Sequence, residues 1–427
     1  MTTQPAQGRQ PDELPAGWAL PSLSELLQAG PTNGYSGPAG TPGRGTRTLS
    51  LSATTTGRMV LNTSTVKWLA AVIDADSDRL LRPGDVLVQR SNTRELVGTT
   101  AVYQGPDNTY AYPDLMMRLR FAEQSTAEWF WRFANGPAGR RYFEGAAAGS
   151  TGTMPKLSGN ALRLMPVPLP PKRERERANA ALLVADGLLA GLDDLLHKKR
   201  AVAQGARQVL LTGRTRLSPF ATPWRPVELG RHVRFLKHGV YARADLTATG
   251  TVRYLHYGDI HAAATARLRV SHASLPFLPD PLAQPLSRLE GGDVVFVDAS
   301  EDLAGVGKSV EVVNVDALPL VSGLHTIACR FDKSVLADGF KAYLQFIPSF
   351  VRHLRTLAAG TKVLATNRKH IANAVVELPG IEEQSAIAAV LSDLDAELEA
   401  LEARRAKTLA IKQGMMQALL TGRIRLT

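Results

Sequence analysis

The sequence lacks the features that define several large classes of protein. Cys329 is the only cysteine among 427 residues, which excludes disulfide frameworks and thiolate metal clusters. No apolar run approaches the ~18 residues that a membrane-spanning helix needs. Residues 1–13 do not have the charged and then apolar order of a signal peptide. We therefore expect a cytoplasmic protein whose first thirteen residues form a disordered tail.

Acidic residues are outnumbered by basic ones. The chain has 39 Asp and Glu against 50 Lys and Arg, a net charge of +11 at pH 7. This balance favours an anionic partner, and nucleic acid fits better than a membrane because no lipid-anchor motif or basic amphipathic segment stands out. The alternative is a generally basic protein without such a partner. Hydrophobic residues make up 44% of the chain, enough for two or three domain cores.

Catalytic motifs are also scarce. Gly-Lys-Ser at residues 307–309 resembles the end of a phosphate-binding loop, but that motif needs glycine where Asp302 stands and a helix afterwards. Residues 310–315 predict a strand instead. The sequence has no Gly-x-Ser-x-Gly elbow and no Asn/Asp-Pro-Pro-aromatic signature of an amino-methyltransferase. We therefore expect no catalytic or cofactor-binding centre in this chain.

Two histidines, His256 and His261, flank Tyr257 and could in principle ligate a metal. A third ligand at the usual spacing is missing. The segment is better interpreted as an ordinary loop or as a contact to DNA phosphate, and no metal site is predicted.

One stretch of the chain is written twice. Residues 172–217 and 381–426 begin with charged residues after a proline-containing loop, and both end Leu-Leu-Thr-Gly-Arg-x-Arg-Leu. A constant offset of 421 − 212 = 209 aligns Thr212 with Thr421, and without any gap it aligns Asp186 with Asp395. The chain is therefore two copies of one unit, each a globular part followed by a long helix.

Both long helices carry a coiled-coil pattern, with apolar or small residues at alternating steps of four and three. In the first helix these residues are Ala178, Leu182, Ala185, Leu189, Leu192, Leu196, Ala203, Ala206 and Leu210. The second helix begins with Ile387, Leu391, Leu394, Leu398 and Leu401. There Arg405, Thr408 and Lys412 interrupt the pattern, which predicts a stutter that shifts the stripe to Leu409, Met416, Leu419 and Leu420.

Charge favours pairing of the two helices with each other. Residues 172–217 carry ten Lys and Arg against five Asp and Glu, whereas residues 381–427 carry six against seven. A basic helix beside an acidic one is the expected arrangement at flanking positions. The alternative is that each helix packs only on its own domain.

The two globular parts follow the same plan. Gly-Asp-Val at residues 84–86 and at 292–294 follows a turn and opens an apolar strand, and a second strand returns near residues 96–103 and 303–310. Aromatic helices come next, including an amphipathic helix predicted over residues 339–357. The mixture of strands and helices indicates an α+β fold.

These motifs occur together in a known order. Leu-Arg-Pro-Gly-Asp-Val-Leu-Val-Gln-Arg-Ser-Asn-Thr-Arg-Glu-Leu-Val-Gly at 81–98, Leu-Pro-Gly-Ile-Glu-Glu-Gln at 378–384 and the two Leu-Leu-Thr-Gly endings resemble the DNA-specificity subunits of type I restriction-modification systems. One departure is Pro-Lys-Arg-Glu-Arg at 171–175, where the second copy has Gly-Ile-Glu-Glu-Gln. The resemblance implies two target-recognition domains, each followed by a spacer helix, with the helices paired as an antiparallel coiled coil. The implied segments are a tail (1–13), domain 1 (14–171), helix 1 (172–217), domain 2 (218–380) and helix 2 (381–427).

The resemblance also implies a non-catalytic adaptor. Each domain would read one half of a split sequence in double-stranded DNA, and the helices would dock methyltransferase subunits and fix the gap between half-sites. S-adenosylmethionine, ATP and Mg are expected on the methyltransferase and translocase-nuclease partners, and no cofactor on this chain. A helix of ~40 residues spans ~60 Å at ~1.5 Å per residue, long enough to separate half-sites by about a helical turn. A coiled-coil scaffold and a self-contained nucleotide-dependent DNA-processing enzyme are the alternatives.

Polar loop residues are the candidates for DNA contact, because arginine and asparagine can bind base edges and basic residues can bind phosphates. In the first half these are Arg90, Ser91, Asn92, Thr93 and Arg94 at a strand end and Thr151, Thr153 and Lys156 in the closing loop. In the second half they are Lys237, Tyr241, Arg243, Lys308, Thr361, Lys362, Asn367, Arg368 and Lys369. Taken singly, each could equally be a solvated surface residue, and the target sequence cannot be derived from them.

Overall fold

The computed structural model describes residues 14–148, 154–303, 305–315, 318–358 and 364–427. The chain forms two compact units. The first comprises the residues up to Ala190 together with Ala406–Thr427, and the second comprises Gly191–Arg405. Each long helix is therefore shared between the units. The predicted segment boundaries, which follow the order of the chain, remain a prediction.

The first unit contains two small sheets within its described residues. Its helices are α1 (Leu23–Leu26), α2 (Gln124–Asn135), α3 (Pro137–Ala146), α4 (Gly159–Arg163) and the first part of α5 (Lys172–Leu210). Its strands are β1 (Leu27–Asn33), β2 (Thr46–Leu49), β3 (Val66–Leu69), β4 (Val86–Gln89), β5 (Thr100–Val102), β6 (Tyr110–Ala111) and β7 (Met116–Phe121). The strand orders are β1-β7-β4-β5 and β3-β2-β6.

The second unit repeats this plan with additions. Its described helices are α6 (Tyr257–Ala262), α7 (Asp280–Ala283), α8 (Pro348–Leu357), α9 (Arg368–Ala372) and the first part of α10 (Ile381–Leu420). Its strands are β8 (Arg225–Glu228), β9 (Val233–Phe235), β10 (Val252–Leu255), β11 (Arg267–Arg269), β12 (Phe277–Leu278), β13 (Val294–Val297), β14 (Ala299–Ser300), β15 (Ser309–Asn314), β16 (Leu320–Ser322), β17 (Thr326–Phe331), β18 (Leu364–Ala365) and β19 (Val375–Leu378). Short 3₁₀ turns lie at Leu51–Ala53 in the first unit and at Leu229–His232, Arg243–Asp245, Val270–His272 and Lys341–Phe346 in the second.

The duplication seen in the sequence is present in the strand order. The first unit has the order β1-β7-β4-β5, and the second has β9-β17-β13-β15 with β11 added at the edge. In each unit a second small sheet contains a parallel pair, β2 with β6 and β10 with β16. The prediction of an α+β fold in two tandem copies is confirmed.

The Gly-Asp turn has the same construction in both copies. Gly84 has a φ of 93° and Gly292 a φ of 92°, a backbone region that glycine adopts without strain. The carboxylate of Asp85 accepts the N–H of Arg82 at 2.8 Å and binds Arg120 on β7 through both oxygens, at 2.8 and 2.9 Å. This buried carboxylate therefore ties the turn to the neighbouring strand.

The apolar seam of α5 lies where the sequence predicts it. Leu182 is 0% exposed and Leu196 2%, whereas Leu183, one position away from the seam, is 62% exposed. All nine predicted seam positions of α5 are buried or half-buried. In the first unit this seam joins a core with Leu419 and Leu420 of α10.

The two long helices pair antiparallel within each unit. In the first unit Asp186 binds Lys412 at 2.6 Å and Glu174 binds Arg425 at 2.7 Å. A residue nearer the start of α5 therefore binds a residue nearer the end of the chain, as in an antiparallel pair. In the second unit the same order holds for Asp193 with Arg405, Lys199 with Glu397 and Arg207 with Asp395, and Arg200 also binds Glu402 across the pair. The predicted antiparallel coiled coil is confirmed.

The predicted stutter in α10 is wrong at Leu409, whereas Met416, Leu419 and Leu420 are half-buried or buried as predicted. Arg405, Thr408 and Lys412 keep the original register and are half-buried, whereas Leu409 is 37% exposed. These polar residues can stay in the helix interface because Arg405 and Lys412 form ion pairs with acidic residues of α5. Lys412 binds Asp186, which is itself largely buried.

The charge pattern predicts only some of these pairs. Three of the ion pairs between the helices join a cation of α5 to an acid of α10, whereas Arg405 and Lys412 of α10 bind acids of α5.

The repeated endings close the units. Arg425 binds both carboxylate oxygens of Glu174 in the first unit, and Arg216 does the same with Glu383 in the second. The indole of Trp18 donates to Glu174 at 3.3 Å. The ending at residues 210–217 therefore belongs to the unit that follows it in the chain, and the last ending belongs to the first unit.

The single helix predicted over residues 339–357 is wrong. The chain forms a 3₁₀ turn at Lys341–Phe346 and then the separate helix α8. Ile347 between them is extended, with φ −72° and ψ 118°, because Pro348 disfavours helical backbone in the residue before it. Most of the apolar positions are nevertheless buried, including Phe340, Tyr343 and Leu344, whereas Phe346 is 37% exposed.

Candidate nucleic-acid interface

In the first unit the end of β4 meets the loop that closes the domain. The N–H of Arg90 donates to the carbonyl of Leu115 at 2.8 Å, and the carbonyl of Arg90 accepts the N–H of Leu157 at 2.8 Å. Ser91 forms an antiparallel bridge with Lys156. Two stretches that are more than fifty residues apart in sequence, both selected as candidates, are thus joined through their backbones.

The second unit makes the same junction. The N–H of Asp298 donates to the carbonyl of His325 at 3.1 Å, and its carbonyl accepts the N–H of Thr366 at 2.8 Å. Strands β14 and β18 then pair Ala299 with Ala365. The repeated scaffold therefore brings a strand end and a closing loop together in both units.

The candidate side chains of the first unit differ in exposure. Thr93, Arg94 and Lys156 are exposed and Arg90 is half-buried, whereas Ser91 is only 2% exposed. Asn92 donates to the side chain of Gln89 at 2.6 Å, and its own oxygen accepts the N–H of Thr93 at 2.8 Å. Ser91 and Asn92 therefore shape the loop, the side chain of Thr93 hydrogen-bonds Glu95, and Arg90, Arg94 and Lys156 are available to a ligand.

Arg140 was not predicted from the sequence, although its side chain contacts the backbone of the loop that follows β4. Its guanidinium donates to the carbonyl of Val97 at 2.7 Å and to that of Glu95 at 2.9 Å. Partial burial lowers the pKa of Arg140 from its ordinary value. Nothing in the sequence near residue 140 indicates this contact, because the partners are backbone atoms about forty-five residues away.

In the second unit four candidates lie together. Asn367 caps α9, its side chain accepting the N–H groups of Lys369 and His370. Arg368 donates to the carbonyl of Leu236 at 3.2 Å, next to Lys237. Lys237 and Lys369 are exposed. The closing loop and the segment after β9 thus form one basic surface.

The remaining described candidates are engaged elsewhere. Arg243 is bound to Asp259, and the backbone N–H of Tyr241 donates to the hydroxyl of Tyr254 at 3.0 Å. Lys308 donates to the carbonyl of His261 at 2.7 Å, and burial lowers its pKa. Thr151, Thr153, Thr361 and Lys362 lie outside the described residues.

A large open cleft lies beside this surface in the second unit. Its volume is about 1630 Å³, and its walls include Tyr257, His261, His325, Lys308, Arg352 and Arg355. The ring of Tyr257 contacts those of His256, His261 and His325 at centroid distances of 4.5, 6.0 and 5.4 Å. The lining combines these cations and aromatic rings with Glu301 and Asp302, and the cations and rings suit a polyanion with exposed bases.

The cations of α8 were not selected from the sequence. Arg352 and Arg355 are spaced three residues apart, so they share one face of the helix, while Phe350 and Leu354 are buried. This amphipathic pattern is visible in the sequence and could have predicted Arg352 and Arg355 as candidates.

The two histidines considered as metal ligands serve other roles. His256 accepts the N–H of Gly258 at 3.2 Å and so caps α6, and burial lowers its pKa. The Nε2 atom of His261 lies 3.3 Å from the carbonyl oxygen of Ala299. Across the described ranges, no cluster of three or more His, Cys, Asp or Glu side chains could hold a metal ion. No helix in the same ranges is long and apolar enough to cross a membrane.

The Gly-Lys-Ser segment does not form a phosphate-binding loop. Gly307 has a φ of 77°, and a Cβ atom there would lie 2.6 Å from Leu354. The segment after it is strand β15, Ser309–Asn314, rather than a helix. The prediction of a strand at this position is confirmed, and the glycine serves packing.

No family model matches the sequence. A protein of Methanocaldococcus jannaschii named as the MjaX specificity subunit of a type I restriction enzyme is 20% identical over 362 residues, which cover 80% of this chain and 79% of that protein.

Solved structures of that class share the fold. The S subunit of a type I restriction-modification system from M. genitalium has a TM-score of 0.61 at 12% identity, covering 96% of this chain and 98% of its own. A chain from a study of complex assembly in a type I system has a TM-score of 0.50 at 18% identity, covering 96% and 100%. The resemblance identified from the sequence is confirmed: this chain is similar to type I specificity subunits in sequence and has their fold.

Proposed function

We propose that this chain is the DNA-specificity subunit of a type I restriction-modification complex. Each unit reads one half of a bipartite duplex target. The observation that carries the proposal is the junction of strand end and closing loop, which recurs in both units but presents different polar side chains in each. A repeated scaffold with exchanged loops is what reading two different half-sites requires.

The partners in this proposal are the enzymes of the complex. Methyltransferase subunits carry S-adenosylmethionine and methylate adenine, and translocase-nuclease subunits use ATP and Mg. This chain supplies no catalytic group and works in the cytoplasm with them. Basic side chains around the junctions, such as Arg94, Lys156, Lys237 and Lys369, contact phosphates and give affinity that falls as salt rises.

The proposal is tested by selection from a random duplex library. The chain is purified with its own methyltransferase subunits and used to enrich binding sequences. Two short constant blocks separated by a gap of fixed length are expected. Enrichment of no motif would favour a coiled-coil scaffold without DNA specificity and would contradict the proposal.

A further inference from the structure

Two residues of opposite charge occupy the same place in the two copies of the scaffold. Arg90 follows β4 and Asp298 follows β13, the central strand of each main sheet. We call this place the strand-exit position. The Gly-Asp-Val motifs at 84–86 and 292–294 give the same pairing, since 292 − 84 = 208 and 298 − 90 = 208.

Three backbone contacts establish the equivalence. Each strand-exit residue donates its N–H to the carbonyl just before the next strand of the sheet, at Leu115 or His325. Each accepts with its carbonyl the N–H of a closing-loop residue, Leu157 or Thr366. The next residue of each then bridges the same loop, Ser91 to Lys156 and Ala299 to Ala365. The backbone is therefore shared, and the side chain is what differs.

The two side chains are presented differently. Arg90 is half-buried, and its guanidinium has no hydrogen-bond or ion-pair partner within the described ranges of the chain. Among the described residues, Oδ1 of Asp298 lies 3.1 Å from Nδ1 of His325, and the two side chains are 30% and 50% exposed. No hydrogen bond from a described residue occupies the second carboxylate oxygen of Asp298.

A carboxylate at such a place has few roles against DNA. It repels phosphates, so at a DNA-facing junction it suits a hydrogen-bond donor on a base edge, and the N4 amine of cytosine is the donor that Asp and Glu accept from in the major groove. An arginine is suited to the O6 and N7 acceptors of guanine. Lys237 and Lys369 nearby are exposed, and their positive charges can bind the phosphates that the carboxylate repels.

We propose that the strand-exit residue determines one base of each half-site: Arg90 selects a guanine for the first unit, and Asp298, oriented by His325, selects a cytosine for the second. This inference rests on the proposed function. It goes further by assigning one specificity-determining residue and one base chemistry to each unit.

The test uses two variants and two controls. In Arg90→Gln and Asp298→Asn the new amide can donate to N7 and accept from N6 of adenine. Arg82→Gln and Glu290→Gln change the same residue types at the turns before the two strands, at the opposite strand ends. Each chain is purified with its methyltransferase subunits and used to select from the random duplex library. Affinities for duplexes with single base changes follow.

For the wild-type chain we expect a guanine at one position of one half-site and a cytosine at one position of the other. Arg90→Gln loses the guanine preference and Asp298→Asn loses the cytosine preference, each by about tenfold to a hundredfold in discrimination. The gained preference is for adenine. The other half-site stays unchanged in each variant, which shows that the variant is folded, and the two controls select the wild-type motif.

Two results would overturn the inference while leaving the proposed function intact. One is a bipartite wild-type motif that neither variant alters, and the other is loss of both half-sites in a single variant. A wild-type chain that selects no bipartite motif contradicts the proposed function itself. The two failures are therefore distinguishable.

Discussion

At the scale of single residues, the aspartate of the Gly-Asp turn is a structural residue at the opposite end of the strand from the candidate DNA-contact loop. Asp293 repeats the contacts of Asp85: it accepts the N–H of Glu290 at 2.8 Å and binds Arg330 at 2.7 and 2.6 Å. The hydrogen bonds that Arg330 donates to Asp293 raise the pKa of Arg330. The motif fixes the strand whose far end carries the strand-exit residue.

Replacement of this aspartate should destabilise its unit. We expect Asp85→Ala to lower the free energy of unfolding by about 3 kcal/mol, the lower part of the range for breaking a buried ion pair, because Arg120 keeps its contact with Asp78. Chemical denaturation followed by circular dichroism measures the change. Asp107→Ala, at an exposed position of the same unit, should change stability by less than about 0.5 kcal/mol. Equal effects in the two variants would show that the turn contacts do not matter.

At the scale of elements, the seam of α5 can be tested by two adjacent leucines. Leu182 is 0% exposed and Leu183 62%. Leu182→Ala should cost about 2–5 kcal/mol of stability, as expected for a buried leucine, whereas Leu183→Ala should stay within about 0.5 kcal/mol. Thermal or urea unfolding of the two variants separates them. A larger loss for Leu183→Ala would contradict the helix register.

The contact between Arg425 and Glu174 gives stability that depends on pH. The hydrogen bond from Arg425 holds the pKa of Glu174 below its usual value of 4.5. Since the folded-state pKa is lowered, the contribution is full above that usual value and is lost as the pH falls through the lowered one.

The pH dependence can be measured with Arg425→Ala. Its urea midpoint should fall below that of the wild type at pH 7, and the difference should shrink in acid as Glu174 becomes protonated. Arg423→Ala, two residues away and exposed, should behave like the wild type at both pH values. A difference that persists unchanged in acid would exclude the ion pair as its cause.

The elements show what a sequence can predict and where prediction stops. Periodicity located the seam of α5 because its positions are apolar. It failed at Arg405 and Lys412 because polar residues there remain in register by binding acids on the other helix. Pro348 could have been used to predict the break in the helix expected over residues 339–357, since the residue before a proline avoids helical backbone.

The candidate site was predicted in part. Arg90, Arg94 and Lys156 were selected from loop chemistry, and their loops do meet. Arg140 was missed because its role depends on backbone atoms distant in sequence. The burial of Ser91 also depends on that tertiary junction. Assignment of individual DNA contacts stays a prediction.

At the scale of the whole molecule, the duplication gives one chain two units that share a scaffold and present different side chains. Each unit includes its own globular part and portions of both long helices. The shared strand order keeps the junction constant, while Arg90 and Asp298 differ.

The adaptor account predicts that the chain alone does not use the cofactors of the complex. The purified chain should bind neither ATP nor S-adenosylmethionine in isothermal titration calorimetry, and the methyltransferase complex should bind S-adenosylmethionine. Lys308→Ala should leave both results unchanged, because Lys308 lies before a strand and not in a phosphate-binding loop. Saturable ATP binding by the chain that Lys308→Ala abolishes would support the enzyme alternative.

The most direct test of the central claim is single-molecule sequencing of methylated adenines. A host without such a system receives the methyltransferase subunits with or without this chain. The account predicts methylation at one bipartite motif, two short half-sites separated by a fixed gap, only when the chain is present. Methylation at the same motif without the chain, or no bipartite motif with it, would contradict the claim that this chain specifies the target.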